Sequence, residues 1–390
     1  MYQVDVSANV PLFGQQMCYW CGAASAEMAR DGYPDPANRV YYTQAALWNI
    51  IQAHNSTAAA DVAENWATDP TGLAGCLQSL SSAPVDWVPY FQPAAGSVMF
   101  FMLHWMDIEH YPSPVLVNQG GHWVVVVEWQ ADIKPITGSS PTLQQIRFYD
   151  PEPHNIGTDT TMSAAQWYAG PWNGAVIYPG TWFNNYVAVV EPPLPKGEVK
   201  IVTVNRIGDN LLKPEQAVEF ARRWIQEQRL SERHQYSLLR RSDVQNHAPM
   251  LVREHTGQPE RGKLPVMTAR VPQYYIVPFG LRGEVGHDGA PLARVCVLVN
   301  AYTGAFEEVT RFGEPVRYLS QQEALNTVAR ALHADPQELR GATATLMFQA
   351  GEITHVRTYP FWHIEYKNRN FYIDQLGRLY NTLQPSIPGD

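Results

Sequence analysis

Between Phe13 and Ala29 the chain reads FGQQMCYWCGAASAEMA. This stretch places Cys18 and Cys21 three residues apart, two glutamines ahead of them and an alanine-rich run behind. From Cys21 onward, CGAASAEMARDG is dominated by strong helix formers, and Gly32 is a natural stop, so a helix is predicted over 21–31. The preceding VPLFGQQM reads as a loop. A cysteine in the first turn of a helix feels the positive end of the helix dipole, which favours the thiolate, the form that attacks. Two other readings of the cysteine pair fail. A thioredoxin-like pair should directly follow a strand, and a zinc site needs a second pair, which Cys76 and Cys296 do not form.

A nucleophilic cysteine needs a base to hold its proton. His122 in NQGGHWVVVVEW is the candidate: two glycines allow close backbone approach, and the apolar strand that follows would hold the ring rigidly. An imidazole beside a thiolate can lower a cysteine pKa to roughly 3–4. The imidazole in turn needs an acceptor that fixes its orientation. Asp150, which ends IRFYD before Pro151, supplies it from the next strand, across a long hairpin loop, ADIKPITGSSPTLQQ. Acyl transfer also requires donors for the oxyanion. Gln15, six residues before Cys21, offers its side-chain amide, with the Cys21 N–H as second donor; Gln16 is its rival by position.

The chain is 390 residues long, with 45% hydrophobic and 17% charged residues, enough for two or three packed domains. Its net charge of −9, without a Lys/Arg block, argues against nucleic acid and acidic membranes as partners. No apolar run is long enough to span a bilayer, and the opening residues lack a basic, apolar leader. The expected location is the cytoplasm, or the outside by a non-Sec route. No cofactor or metal is expected. DPEPH (150–154) has prolines between its potential ligands and no second cluster, so it reads as a surface loop.

Helix-period patterns recur at 43–54, 72–80 and 95–110, and strand patterns at 114–118, 122–129, 145–149 and 186–190. Helices first and an antiparallel set after them make the class α+β. EPPLPKGEVK (191–200) is the linker candidate. Beyond it a pattern occurs twice: a helix at 213–228 or 319–332, then strands meeting at a turn marked by Asn300…Gly304 or Asp374…Gly377. Two small helix-plus-antiparallel-sheet units are expected there.

Gln-x5-Cys, then Gly-His followed by an aromatic and an aliphatic run, then strand-Asp-Pro, resembles the papain-like cysteine peptidases. The likeness is closest to bacterial effector-type and bacteriocin-leader members and covers roughly residues 8–190. It implies a papain-like domain with Cys21 as nucleophile, His122 as base, Asp150 as orienting residue and Gln15 as oxyanion donor. Gly22 replaces the tryptophan that follows the nucleophile in papain itself, and Asp150 replaces an asparagine. The resemblance also implies a structural disulfide for Cys18, with Cys76 the nearest partner; in a reducing compartment both would be free thiols. One tryptophan among Trp123, Trp167, Trp172 and Trp182 would shield the His122–Asp150 contact. The second half is similar to PepSY-type or cystatin-like modules.

The expected organisation is a peptidase domain over 1–192 and a binding or regulatory tandem α+β domain over 193–390. The expected function is peptide-bond cleavage through a thioester on Cys21. Transglutaminase- or deamidase-type acyl transfer by the same residues, or a non-catalytic binding protein with a relic site, are the alternatives. The expected partner is a protein or peptide substrate, with contact between the C-terminal domain and the cleft as a further possibility.

Overall fold

A computed structural model describes residues 1–31, 41–56, 66–81, 86–190, 197–200, 211–255, 272–384 and 387–389. The class is α+β. The chain divides into two units, Met1–Asn205 with Ser386–Asp390, and Arg206–Pro385.

In chain order the first unit comprises β1 (Tyr2–Asp5), α1 (Cys21–Asp31), α2 (Gln44–His54), α3 (Pro70–Leu80), β2 (Val88–Gln92), α4 (Ala95–Glu109) and β3 (Ser113–Val117). It continues with β4 (His122–Ala131), β5 (Leu143–Asp150), β6 (Thr158–Ser163), α5 (Ala164–Ala169) and β7 (Tyr186–Val190). Its strands run β6-β5-β4-β3-β7-β2. β4 is longer than β3, and the part that extends past it pairs with β1 instead.

The sheet is apolar on both faces, which explains why β3 and β7 read as continuous apolar runs. Val187 and Val189 face one core with Cys21, Leu47, Leu73 and Trp123, whereas Ala188 and Val190 face the other with Val98 and Met102. Three short helices thus cover one face. α4, two-thirds of whose residues are buried, belongs to the other. The small residues Ala23, Ala26 and Ala29 bring α1 close to β4.

The first unit extends past the expected boundary at 192. The Val199 N–H bonds to the Gly96 carbonyl at 3.1 Å and that of Lys200 to Pro141 at 3.1 Å, which ties this stretch back to the first unit. Residues 191–196 of the expected linker lie outside the described residues.

The second unit comprises α6 (Pro214–Glu227), β8 (Val244–Asn246), β9 (Met250–Glu254), β10 (Gln273–Leu281), β11 (Leu292–Asn300) and β12 (Phe306–Arg317). It ends with α7 (Gln321–Leu332), β13 (Thr343–Phe348), β14 (Phe361–Tyr366), β15 (Arg369–Ile373) and β16 (Leu379–Tyr380). Each helix covers its own core: α6 over β10–β12, α7 over β14 and β15. The two repeats are not separate units. β13 pairs in parallel with β9, so both halves share one sheet, β16-β15-β14-β13-β9-β10-β11-β12. Their turns are built alike. Asn300 Oδ1 accepts from the Tyr302 and Thr303 N–H groups, Asp374 Oδ1 from those of Leu376 and Arg378. Gly304 and Gly377 then take the left-handed conformation at φ 69° and 79°.

The Cys18–Cys76 disulfide that the resemblance implies is not formed, and no cysteine is in a disulfide: Cys18 is exposed, and Cys76 is buried with its sulfur 3.9 Å from the Leu47 carbonyl. Among the described residues no helix is long and apolar enough to cross a membrane, and no group of three or more His, Cys, Asp or Glu could hold a metal.

Candidate active site

Cys21 opens α1, and His122 opens β4. A tight connection, Asn118 to Gly121, joins β3 to β4 and pairs Val117 with His122. Asn118, Gln119 and Gly120 all sit at positive φ, 51°, 59° and 98°. Such backbone is concentrated where structure is held for a purpose.

The strand register delivers the acid. Val125 pairs with Tyr149, which puts Asp150 opposite Val124 and His122 two residues away on the same side. Diagonal neighbours on an antiparallel pair lie within reach of long side chains. His122 Nε2 is 2.8 Å from Asp150 Oδ1, which also accepts from the Glu152 N–H at 2.9 Å. The imidazole also interacts with the Cys21 thiol, which favours the ring's charged form. Burial opposes charge on His122, but Asp150 and then Cys21 outweigh it, and the His122 pKa is raised well above its ordinary value of 6.5. All three groups are buried.

Gln15 is 1% exposed and belongs to the same assembly through a different set of bonds. Its N–H donates to Pro151 O at 2.8 Å, and its carbonyl accepts from Asn155 at 2.9 Å. The loop carrying Gln15 is thereby laid on the loop that follows Asp150. Gly14 permits this: a Cβ there would lie 2.3 Å from the Ile156 nitrogen. The Gln15 amide Nε2 donates to Cys18 O at 3.0 Å and to Glu152 Oε1 at 3.4 Å, while Oε1 is buried without a partner among the described residues. Gln16 is exposed, and its N–H bonds to Gln44 on α2.

Gly22 also has a steric role. A Cβ there would fall 2.3–2.4 Å from the Thr68 side chain. The glycine lets the start of α1 press against the loop Trp66–Asp69, which sequence reasoning passed over. This loop is held from several directions. Gln52 bonds to Ala67 O, and Asn55 donates to Trp66 O and accepts from the Asp69 N–H. The Trp123 indole N–H donates to Thr68 O at 2.9 Å. Asp69 caps α3 through the Gly72 N–H at 2.6 Å. The Asp69-Pro70 pair was the available signal, since it is an N-cap followed by a first-turn proline. Trp123 and Trp182 share the core that holds Cys21, whereas Trp167 and Trp172 belong to the other.

No family model, no curated protein and no solved structure matches this chain.

Proposed function

We propose that the first unit is a cysteine peptidase of the papain-like kind. One observation carries this reading: within a buried site the Cys21 thiol interacts with the His122 imidazole, which is hydrogen-bonded to the Asp150 carboxylate. A raised imidazole pKa keeps the ring protonated beside the sulfur and so favours the thiolate.

The thiolate of Cys21 adds to the carbonyl carbon of a peptide bond, and the carbonyl electron pair moves onto oxygen. Donors at the start of α1 stabilise that oxyanion, with Gln15 turning its longer Nε2 contact, the one to Glu152, toward it. The His122 imidazolium gives its proton to the leaving nitrogen as the C–N bond breaks, which leaves a thioester. Neutral His122 then takes a proton from water as its oxygen adds to the thioester. The C–S bond breaks, and the thiolate–imidazolium pair is restored. Asp150 holds the ring in register throughout.

The test compares wild type, Cys21→Ala and His122→Ala on a peptide library read by mass spectrometry. New peptide termini with wild type alone are expected. Equal cleavage by Cys21→Ala would overturn the reading, and ammonia release without new termini would assign the site to deamidation or transamidation.

A further inference from the structure

Building on the reading above, we propose that the cleft is a glycine-selective acyl-donor site, and that the Ile387–Pro388–Gly389 segment of the same chain is held in it as a substrate's acyl side would be.

The segment packs within the first unit. Ile387 is exposed, whereas Pro388 and Gly389 are buried. Three backbone contacts fix it. Pro388 O accepts from the Ala67 N–H at 3.3 Å, and the Gly389 N–H donates to Gly120 O at 2.7 Å. The Gly389 carbonyl oxygen then lies 3.4 Å from Cys21 Sγ. One edge of the segment is thus bound by the loop before α3 and the other by the loop before His122, and its last carbonyl is brought to the nucleophile. Main-chain contacts of this kind hold a peptide whatever its sequence, and pockets for side chains decide selectivity.

Here the pocket at the reacting residue is closed. A Cβ on Gly389 would lie 2.3 Å from Thr68 O and 2.9 Å from the Trp66 ring. The first of these is a main-chain atom, pinned by the Trp123 indole, so trimming a side chain cannot make room. Gly389 also has a φ of 67°, in the left-handed region that glycine adopts without strain. Space and backbone conformation independently select glycine at the position whose carbonyl meets Cys21. Proline suits the preceding position, because only its carbonyl is used there.

A segment tethered to its own site meets it at an effective concentration of order mM, so weak intrinsic affinity suffices to fill the cleft. Full-length protein is therefore expected to shield its sulfur. Gly389→Ala, or a chain ending at Leu383, should raise the rate of Cys21 alkylation by iodoacetamide about tenfold or more. An unchanged rate in both variants overturns the occupancy. In the Gly389→Ala protein, the peptide Ile-Pro-Gly-Asp at millimolar concentration should slow alkylation again, and Ile-Pro-Ala-Asp should not. Equal protection by both overturns the selectivity. These readings need no turnover and so stand apart from the peptidase reading. Where turnover is present, an Ile-Pro-Gly amide should exceed its Ile-Pro-Ala counterpart by about 100-fold in kcat/KM. Cys21-dependent cleavage with the two within about threefold refutes the glycine site and leaves the peptidase standing.

Discussion

Cys21 and Cys296 are both fully buried, one in each unit, and they differ in what stands beside the sulfur. Cys296 lies in the middle of β11, with Tyr318 Oη at 3.1 Å. Burial pushes its thiol up to about 12; the tyrosine opposes this, and the carboxylate of Glu308 adds to it. Cys76, on α3 in the first unit, is likewise raised to about 12 by burial, with Arg30 pulling the other way. Cys21 instead has an imidazole in contact, backed by a carboxylate. Removal from water alone makes a thiol inert. Removal from water beside a group that can carry the proton is what the proposed nucleophile requires. The contrast extends to the surroundings. The second unit buries Arg357 against Glu307 at 2.5 Å and over the ring of Tyr274, an ion cluster closed within its own fold. The first unit's polar cluster includes instead a sulfur that faces a backbone carbonyl from far along the chain.

The largest effect that tests this contrast is on turnover. Cys21→Ala should lower peptide cleavage by about 10⁴-fold or more, and Cys296→Ala should leave it unchanged, both measured as kcat/KM. Comparable losses in the two would erase the distinction. Asp150→Ala should reduce the rate by about 10²–10⁴-fold and move the pH window. The folded pKa of His122 is raised above 6.5, so the ion pair's contribution is full below 6.5 and lost as pH rises through the raised value. Without Asp150 the alkaline edge of peptide cleavage, where the imidazolium that protonates the leaving nitrogen is lost, should retreat toward 6.5; an edge that stays in place would remove Asp150 from its assigned role. In the second unit, Arg357→Leu leaves buried carboxylates unpaired and should cost about 3–5 kcal/mol in denaturant unfolding. Cleavage per folded molecule should not change, and a loss of turnover without unfolding would link the two regions. Smallest is Gly22→Ala, whose methyl meets Thr68 and should destabilise the first unit by about 1–3 kcal/mol, seen as a lower Tm.

Sequence alone located much of this. α1, α2 and α4 follow helix periodicity, and β3, β4 and β7 are apolar runs closed by turn residues. Cys21, His122 and Asp150 were legible because each stands at the boundary of such an element, where periodicity stops. β6 was not, since TDTTMS looks like a loop; it is buried because Asp159 pairs with Arg147 at 2.7 Å across to β5. β2 carries Pro89, which suits its place at the end of the strand order but obscures its pattern. The wall formed by Trp66, Ala67 and Thr68 was invisible for another reason. Its backbone atoms do the work, and local residue types do not reveal which main-chain N–H or carbonyl will face a cleft. Gln15 was singled out by its spacing from Cys21, whereas its bonds to Cys18 and Glu152 were not legible, since the second depends on a partner far along the chain. The paired turns at Asn300 and Asp374 were legible, whereas the merging of both repeats into one sheet depends on β9 and β13, which carry no distinctive pattern.

The Gln15 loop is bonded at both its N–H and its carbonyl to the stretch that follows Asp150. The approach to the sulfur and the support of the imidazole therefore belong to one clasp, like the jaws of a caliper on a common pivot. A displacement of one of these loops is thereby passed to the other through two main-chain bonds.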